Sequence, residues 1–407
     1  MPEQANYDES LVPAYELPDP LVDTPGKTVA TAAQWQDQRR GEILRLFEDH
    51  VYGGMPGPWP QTHVDVFDED RHALGGHAIR RQTRLRFGDS DRAPTMDMLL
   101  YLPARFSGPV PVFLGLNFFG NHSVHADPGI RLSAGWMRAS SDQGIVDHRA
   151  TEASRGSLAN RWPVEQILAR GYGLATIYCG DLDPDFDDGY ANGVHPLFYR
   201  SGQSRPESHE WGTIGAWAWG LSRGLDALWQ DPDVAATRVA VMGHSRLGKT
   251  ALWAGACDER FALVISNNSG CGGAALSRRR FGETVVIINK AFPHWFCDKH
   301  RDYDELESEF PVDQHELIAL AAPRPVYVAS AVEDRWADPA GEYLAALHAS
   351  PVYELLALRG LDADRTPELD VPLADAAIGY HVRSGGHDVT AFDWDCWMNF
   401  ADRQLPS

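Results

Sequence analysis

Lysine stands at Lys27, Lys249, Lys290 and Lys299 and nowhere else in this sequence. Lysine and arginine together number 36 against 57 acidic residues, a formal net charge of -21. That balance excludes the broad cationic face needed to bind nucleic acid or an anionic membrane surface. No stretch is apolar for long enough to span a bilayer. The opening residues, Met1 to Ser10, have neither a basic n-region nor an apolar h-region, so no signal peptide is expected in this sequence. The expected compartment is the cytoplasm, or a secreted or periplasmic one reached with the leader already removed. Cysteine is sparse: Cys179, Cys257, Cys271, Cys297 and Cys396. An odd number at scattered spacings excludes a disulfide framework and any Cys-x-x-Cys metal pair, so reduced, mostly buried thiols are expected. Repeats and low-complexity runs are missing too. What is present is a globular composition, 43% hydrophobic, able to bury a large core.

Along the chain, residues 1–27 are rich in proline and acids and are expected to form a surface extension. Gln34 to Val51 reads as a helix, with Ile43, Leu44 and Leu46 apolar. Alternation in His63–Val66 and in Ala78–Phe87 predicts antiparallel strands at one edge of a sheet. Pro111–Leu116, Gly173–Tyr178, Pro325–Ala331 and Gly379–Val382 read as further strands, and Val164–Arg170 and Ile214–Trp229 as helices. A long polar stretch at about 121–162, dotted with Gly, Ser and Asp, is expected to be an insertion flanking the active site. The acidic run from Gly180 to Asp188 lacks the full ligand order of a calcium loop and is expected to be solvated.

Arg238 to Trp253 is the most telling run. An apolar segment with Val239, Val241 and Met242 leads through Gly243-His244-Ser245-Arg246 into the helix former Thr250-Ala251-Leu252-Trp253. Strand, sharp turn and helix in that order are the setting of a nucleophile elbow. Ser245 is then the candidate nucleophile, and Gly243 leaves room where the two backbones crowd together. The standard pattern would place glycine at position 247, where Leu247 stands; the glycine is Gly248. The same order also fits an ordinary strand-to-helix turn capped by a serine. A catalytic serine needs a base, and the base an orienting acid; α/β-hydrolases supply them in the order Ser, Asp or Glu, His. His387, in Ser384-Gly385-Gly386-His387 after a late strand, is the candidate base. Asp334, just past the strand Pro325–Ala331, is the candidate acid, with Glu333 and Asp338 as alternatives. Asp338 before Pro339 also reads as a helix start. All these positions follow the carboxyl ends of strands, where active sites of open α/β sheets gather. The predicted fold class is therefore one α/β-hydrolase domain, a three-layer sandwich whose mostly parallel central sheet is flanked by helices.

Arg246 and Lys249 put two cations into one first helical turn, against the helix dipole, and so call for an anionic or polar partner. Positive potential is expected around them. The backbone N–H of Arg246 and its guanidinium are candidate donors to an oxyanion. Trp217, Trp219 and Trp253, at helical spacings, read as core. Trp336, beside Asp334, reads as a site residue, and Trp295, in a polar-flanked loop, as either.

Gly243-His244-Ser245-Arg246-Leu247-Gly248-Lys249 is similar to the Gly-x-Ser-Arg-x-Gly-Lys signature of the glucuronoyl esterases, carbohydrate esterase family fifteen. Ser269 to Ala275, Pro293 to Phe296 and Asp313 to Pro325 resemble that family as well. The resemblance runs from about Leu17 to the C-terminus. It implies hydrolysis of an ester whose acyl part is the carboxyl group of (4-O-methyl-)glucuronate, as in the lignin–carbohydrate ester bonds of glucuronoxylan. It implies Ser245 as nucleophile, His387 as base and Arg246 as the oxyanion arginine. Lys249 and Glu283 match residues that hold sugar hydroxyls, and Trp336 matches an aromatic residue beside the sugar.

Two departures stand out. Fungal members carry a glutamate as triad acid just after the strand that follows the elbow helix. Asn268 stands there, uncharged and expected to contribute little, which strengthens Asp334 as the acid. Fungal members also flank the serine and histidine with cysteines joined in a disulfide; here the neighbours are His244 and Asp388, so no such staple is expected. The expected partner is a glucuronate-bearing oligo- or polysaccharide ester, met by a monomer without metal or cofactor. The alternatives are another carbohydrate esterase, such as an acetyl esterase with a tiny acyl pocket, and a non-catalytic carbohydrate-binding relative.

Overall fold

Side chains on the strands alternate between two cores. In the strand before Ser245, Val239 and Val241 bury on one face while Ala240 and Met242 bury on the other. The computed structural model describes residues 5–106, 108–365 and 367–405 and gathers nine strands into one sheet; residues 1–4 of the expected N-terminal extension lie outside the described residues. The strands are β1 (Thr62–His72), β2 (Ala78–Phe87), β3 (Thr95–Pro103) and β4 (Val110–Asn117). A small separate hairpin, β5 (Ile145–Val146) and β6 (Arg149–Ala150), follows. The sheet resumes with β7 (Gly173–Tyr178), β8 (Val234–His244), β9 (Leu263–Asn267), β10 (Val326–Ala331) and β11 (Ile378–Arg383). Their spatial order is β1-β2-β3-β7-β4-β8-β9-β10-β11. Pairings from β1 to β7 are antiparallel, and every pairing from β7 to β11 is parallel. Both faces of the parallel strands are covered, which is why β4 reads as a continuous apolar run rather than an alternating one.

Helices close the two faces. Thr213–Trp229, Arg246–Cys257, Gln314–Ala319 and Pro339–His348 contribute to the larger core, where Trp217, Trp219 and Trp253 are fully buried. Val164–Ala169 and Ala391–Gln404 contribute to the second core, around Phe113, Trp394 and Trp397. The result is the α/β-hydrolase sandwich. The helix expected over Gln34–Val51 extends from Ala32 to Tyr52, with π-helical stretches at Trp35–Arg39 and Glu48–Tyr52. None of the five cysteines is paired; all are buried except Cys257, which is half-buried. Among the described residues no helix is long and apolar enough to cross a membrane.

The acidic run Gly180–Asp188 departs from expectation. Asp183 is 2% exposed and Asp185 6%. Thr213 Oγ1 donates to Asp183 at 2.5 Å, and Asp185 faces the Arg246 guanidinium. Buried carboxylates persist where such partners replace water, so this loop turns inward rather than outward.

Candidate active site

β8 ends at His244 and the next helix begins at Arg246, which leaves Ser245 alone on the turn with φ 59° and ψ -132°. A non-glycine residue held there stores strain of about 1–3 kcal/mol. Two glycines make the turn possible. A Cβ on Gly243 would lie 1.9 Å from the Leu247 carbonyl oxygen. A Cβ on Gly248 would lie 3.0 Å from the Ser269 Cβ and 3.1 Å from the Gly243 oxygen. The second glycine is therefore needed at 248, where the helix crosses the segment after β9, while Leu247 is spent on the core. The Ser245 N–H donates to the Asn267 carbonyl at 2.9 Å and ties the turn to β9.

His387, on the loop after β11, places Nδ1 2.6 Å from Asp334 Oδ2. Asp334 follows β10 and is 6% exposed. Burial pushes its pKa up, but the hydrogen bond and charge of His387, with the Asn268 amide, outweigh that and hold it below the ordinary carboxyl value. Of the alternative acids, Glu333 is exposed. Asp338 is taken by Arg279, 2.8 Å away, and caps the following helix through the Gly341 N–H. Asn268 is not the bystander expected: its Nδ2 donates to Asp334 Oδ2 at 2.7 Å. An amide cannot be the anion, but it can aim one.

Two further arrangements fix the imidazole loop. The Arg383 guanidinium donates to the carbonyls of Ser384, Gly386 and Asp388 and is itself held by Asp393 at 2.8 Å. Asn267 Nδ2 lies 2.9 Å from His244 Nδ1 and 2.9 Å from the Asp388 carbonyl. The residues that replace the fungal cysteine pair are thus bridged by one amide. With Nδ1 accepting, His244 must be neutral, and burial together with the nearby His387 depresses its pKa well below the usual imidazole value.

The Arg246 guanidinium lies over the Phe118 ring at 4.5 Å and near the Trp295 ring at 5.7 Å, with Nε 2.9 Å from Asp185 Oδ2. Asp185 also accepts from Trp295 Nε1 at 2.8 Å and meets His294 Nε2 at 3.1 Å. Burial would raise the Asp185 pKa, yet Arg246, His294 and Trp295 pull it far below the carboxylate range. Lys249 Nζ donates to the Ser269 and Cys271 carbonyls at 2.6 and 2.5 Å and stands 3.6 Å from Glu283 Oε2. Burial raises the Glu283 pKa against the pull of Lys249 and the Trp336 indole. The positive potential expected around Arg246 and Lys249 is therefore countered, since each cation has a carboxylate of its own.

Ser245, Arg246, Lys249, Asn268, Glu283, Trp295, Asp334, Trp336 and His387 line one cavity of 310 Å³. Trp295 is buried and stacked on Phe292 at 3.7 Å, whereas Trp336 is 41% exposed. Among the described residues, none from 121–162 lines this cavity. In that stretch Trp136 packs against Phe186 with ring centroids 4.4 Å apart. Asp185, Asn267 and Arg383 escape sequence reasoning, as does Glu342, which accepts from the Ser269 and Gly270 N–H groups at 2.7 and 3.0 Å. Only Asp185 left a trace: two helix-start cations call for an anion, and the acidic loop after β7 supplies one. The constellation suits acyl transfer, with a hydroxyl on a strained turn, an imidazole backed by a carboxylate, and fixed cationic and N–H donors.

Comparison with known proteins places the chain among esterases. The family model described as "Glucuronyl esterase, fungi" matches residues 198–357. A carbohydrate esterase of an unknown prokaryotic organism is 54% identical over 405 residues, covering 99% of this chain and 93% of the relative. A 4-O-methyl-glucuronoyl methylesterase of Phanerochaete carnosa is 32% identical, with 84% and 72% covered. Among solved structures, a promiscuous CE15 esterase from a marine bacterial metagenome matches with TM-score 0.93 at 54% identity, covering 98% of this chain and 100% of that one. A glucuronoyl esterase from Solibacter usitatus matches with the same TM-score and coverage at 48% identity. With these identities sustained over nearly its whole length, the chain belongs to the glucuronoyl esterases of carbohydrate esterase family 15.

Proposed function

We propose that this protein is a serine carboxylesterase that hydrolyses esters of glucuronic acid, including the 4-O-methylated acid carried on xylan. Ser245 Oγ attacks the ester carbonyl while His387 Nε2 takes its proton. Asp334 holds the other ring nitrogen and stabilises the imidazolium that forms. The tetrahedral oxyanion is met by the backbone N–H of Arg246, which opens a helix and so has no intrahelical partner. The guanidinium, ion-paired with Asp185 through its Nε side, adds a charged donor. The alcohol leaves with the proton from His387. Water then repeats the sequence on the acyl-enzyme, releasing the glucuronate and restoring the serine.

One observation carries the sugar acid over a small acyl group: the cavity that holds Ser245 and His387 also holds the buried pair Lys249–Glu283 and the exposed Trp336. A charged pair and an aromatic face are what a ring bearing hydroxyls can engage; an acetyl group is too small to use either. The same reading extends to glucuronate esters borne on oligo- or polysaccharides, with Trp336 at the open side of the cavity. The test compares benzyl glucuronate with benzyl acetate, so that the leaving alcohol is the same. The glucuronate ester should give a kcat/KM at least about a hundredfold higher, because the acetyl ester forgoes the hydroxyl contacts to Lys249 and Glu283 and the stacking on Trp336. Equal or better turnover of the acetyl ester would favour the acetyl esterase. Turnover of either ester by Ser245→Ala at the wild-type rate would remove the mechanism altogether.

A further inference from the structure

Residues 6–9 take no part in the chemistry above, yet they are seated on two loops that do. The Asn6 carbonyl accepts from the Gly282 N–H at 2.8 Å in an antiparallel bridge. Tyr7 meets Phe281 edge-on with ring centroids 6.2 Å apart, and the Arg335 guanidinium lies 5.4 Å from the first ring and 5.5 Å from the second. Glu9 takes Arg279 Nη2 with both carboxylate oxygens at 2.9 Å, and Arg279 Nε holds Asp338 at 2.8 Å. The two loops are joined to each other as well. The Glu283 N–H donates to the Trp336 carbonyl at 3.0 Å, and a Cβ on Gly282 would lie 2.4 Å from that same oxygen. Phe281–Glu283 and Arg335–Asp338 therefore form one thin wall. Its inner side presents Glu283 and Trp336 to the cavity, and its outer side is gripped by residues 6–9.

We propose that residues 6–9 are a strap that fixes the sugar-facing wall of the cleft, which makes Tyr7 and Glu9 positioning residues for recognition of the acyl ring. The inference rests on the reading of Glu283 and Trp336 as sugar contacts. Without the strap the wall keeps its covalent ends and the Glu283–Trp336 bond but loses its outer support, and its two ring-facing side chains spread over more positions. Binding of a sugar acid weakens. The attack on the carbonyl is spared, because Ser245 is set by the elbow and Asp334 by Asn268 on the β9 side. A small acyl group, which does not reach the wall, is indifferent to the change.

The experiment uses the full chain as wild type, as Tyr7→Ala/Glu9→Gln and as Tyr7→Phe. In the double variant the Gly282 and Glu283 amides should exchange with deuterium faster than in the wild type. Its KM for benzyl glucuronate should rise about fivefold, the effect of one exposed cation–π contact and one ion pair exposed on its Glu9 side. The kcat should stay within about twofold, since nothing made only in the transition state is removed. Turnover of benzyl acetate should not change, and Tyr7→Phe, which keeps the ring, should behave as wild type. Unchanged amide exchange would overturn the strap. So would an equal loss on both esters, which marks a merely structural role. A wild-type chain inert towards benzyl glucuronate would instead sink the proposed function, and the exchange measurement alone would then decide whether the strap exists.

Discussion

Asp334 accepts from two donors at one oxygen, His387 Nδ1 and Asn268 Nδ2. Only the carboxylate can stabilise an imidazolium, so Asp334→Asn should lower kcat by about a thousandfold or more, with little change in KM. Asn268→Ala removes the aim but leaves the charge. A loss of about tenfold is expected, the scale of one hydrogen bond to a charged group. Steady-state kinetics on benzyl glucuronate would separate the two, and equal losses would mean that the charge is not what matters. Asp185 acts through Arg246. Its carboxylate pairs Arg246 while Trp295 and His294 hold it in place. In Asp185→Asn the neutral side chain no longer anchors the guanidinium. The kcat should drop about tenfold or more while KM moves less than about twofold, the signature of a donor used chiefly in the transition state. A rise in KM alone would reassign Arg246 to ground-state binding.

At the scale of the elements, the turn after β9 is held from behind by the helix Pro339–His348. Glu342 on that helix accepts from the Ser269 and Gly270 N–H groups and from Ser330 Oγ, and burial pushes its carboxyl up to about 8 from an ordinary 4.5. Between those two values the folded chain keeps a proton that the unfolded chain has released, so rising pH weakens the fold through this window. Below the unfolded value both states are protonated and the stabilising contribution is fully present. Glu342→Gln retains an oxygen for the two N–H groups and has no proton to lose. Its Tm should lie close to that of the wild type at about pH 5 and above it at about pH 9, in thermal melts at the two values. A constant offset would show that Glu342 does not titrate in this range.

For the molecule as a whole, the pairing of cysteines is absent, and stability rests on the two cores that sandwich the sheet. Burial leaves the thiols un-ionised: those of Cys179, Cys257, Cys271, Cys297 and Cys396 are all pushed above their ordinary value by desolvation. Thiolates are the reactive form. A thiol reagent should therefore modify Cys257 alone, or nothing, in the native protein, and all five sites once the chain is unfolded in guanidinium. Reductant should leave Tm unchanged. A Tm that falls with reductant would reveal a disulfide.

The elbow was legible because it is local. Strand period, glycine, serine and helix former stand within sixteen residues of sequence, Arg238 to Trp253, and hard-sphere crowding between neighbouring backbones needs no distant partner. Most strands and helices followed from the same local periodicities, but β3 (Thr95–Pro103) was not read from them; the places of Ser245, Asp334 and His387 just past strand ends matched the hydrolase order. The resemblance strengthened Asp334 as the acid, since Asn268 cannot carry charge. Tertiary structure alone decided the rest. That Asp185 turns inward to Arg246, that Asn267 bridges His244 and Asp388, that Asn268 aims Asp334, and that residues 6–9 grip the wall are pairings across tens to hundreds of residues. No periodicity encodes such a pairing. A buried polar group takes whichever partner the packed sheet brings within reach, and which partner that is becomes defined only when the strands lie side by side.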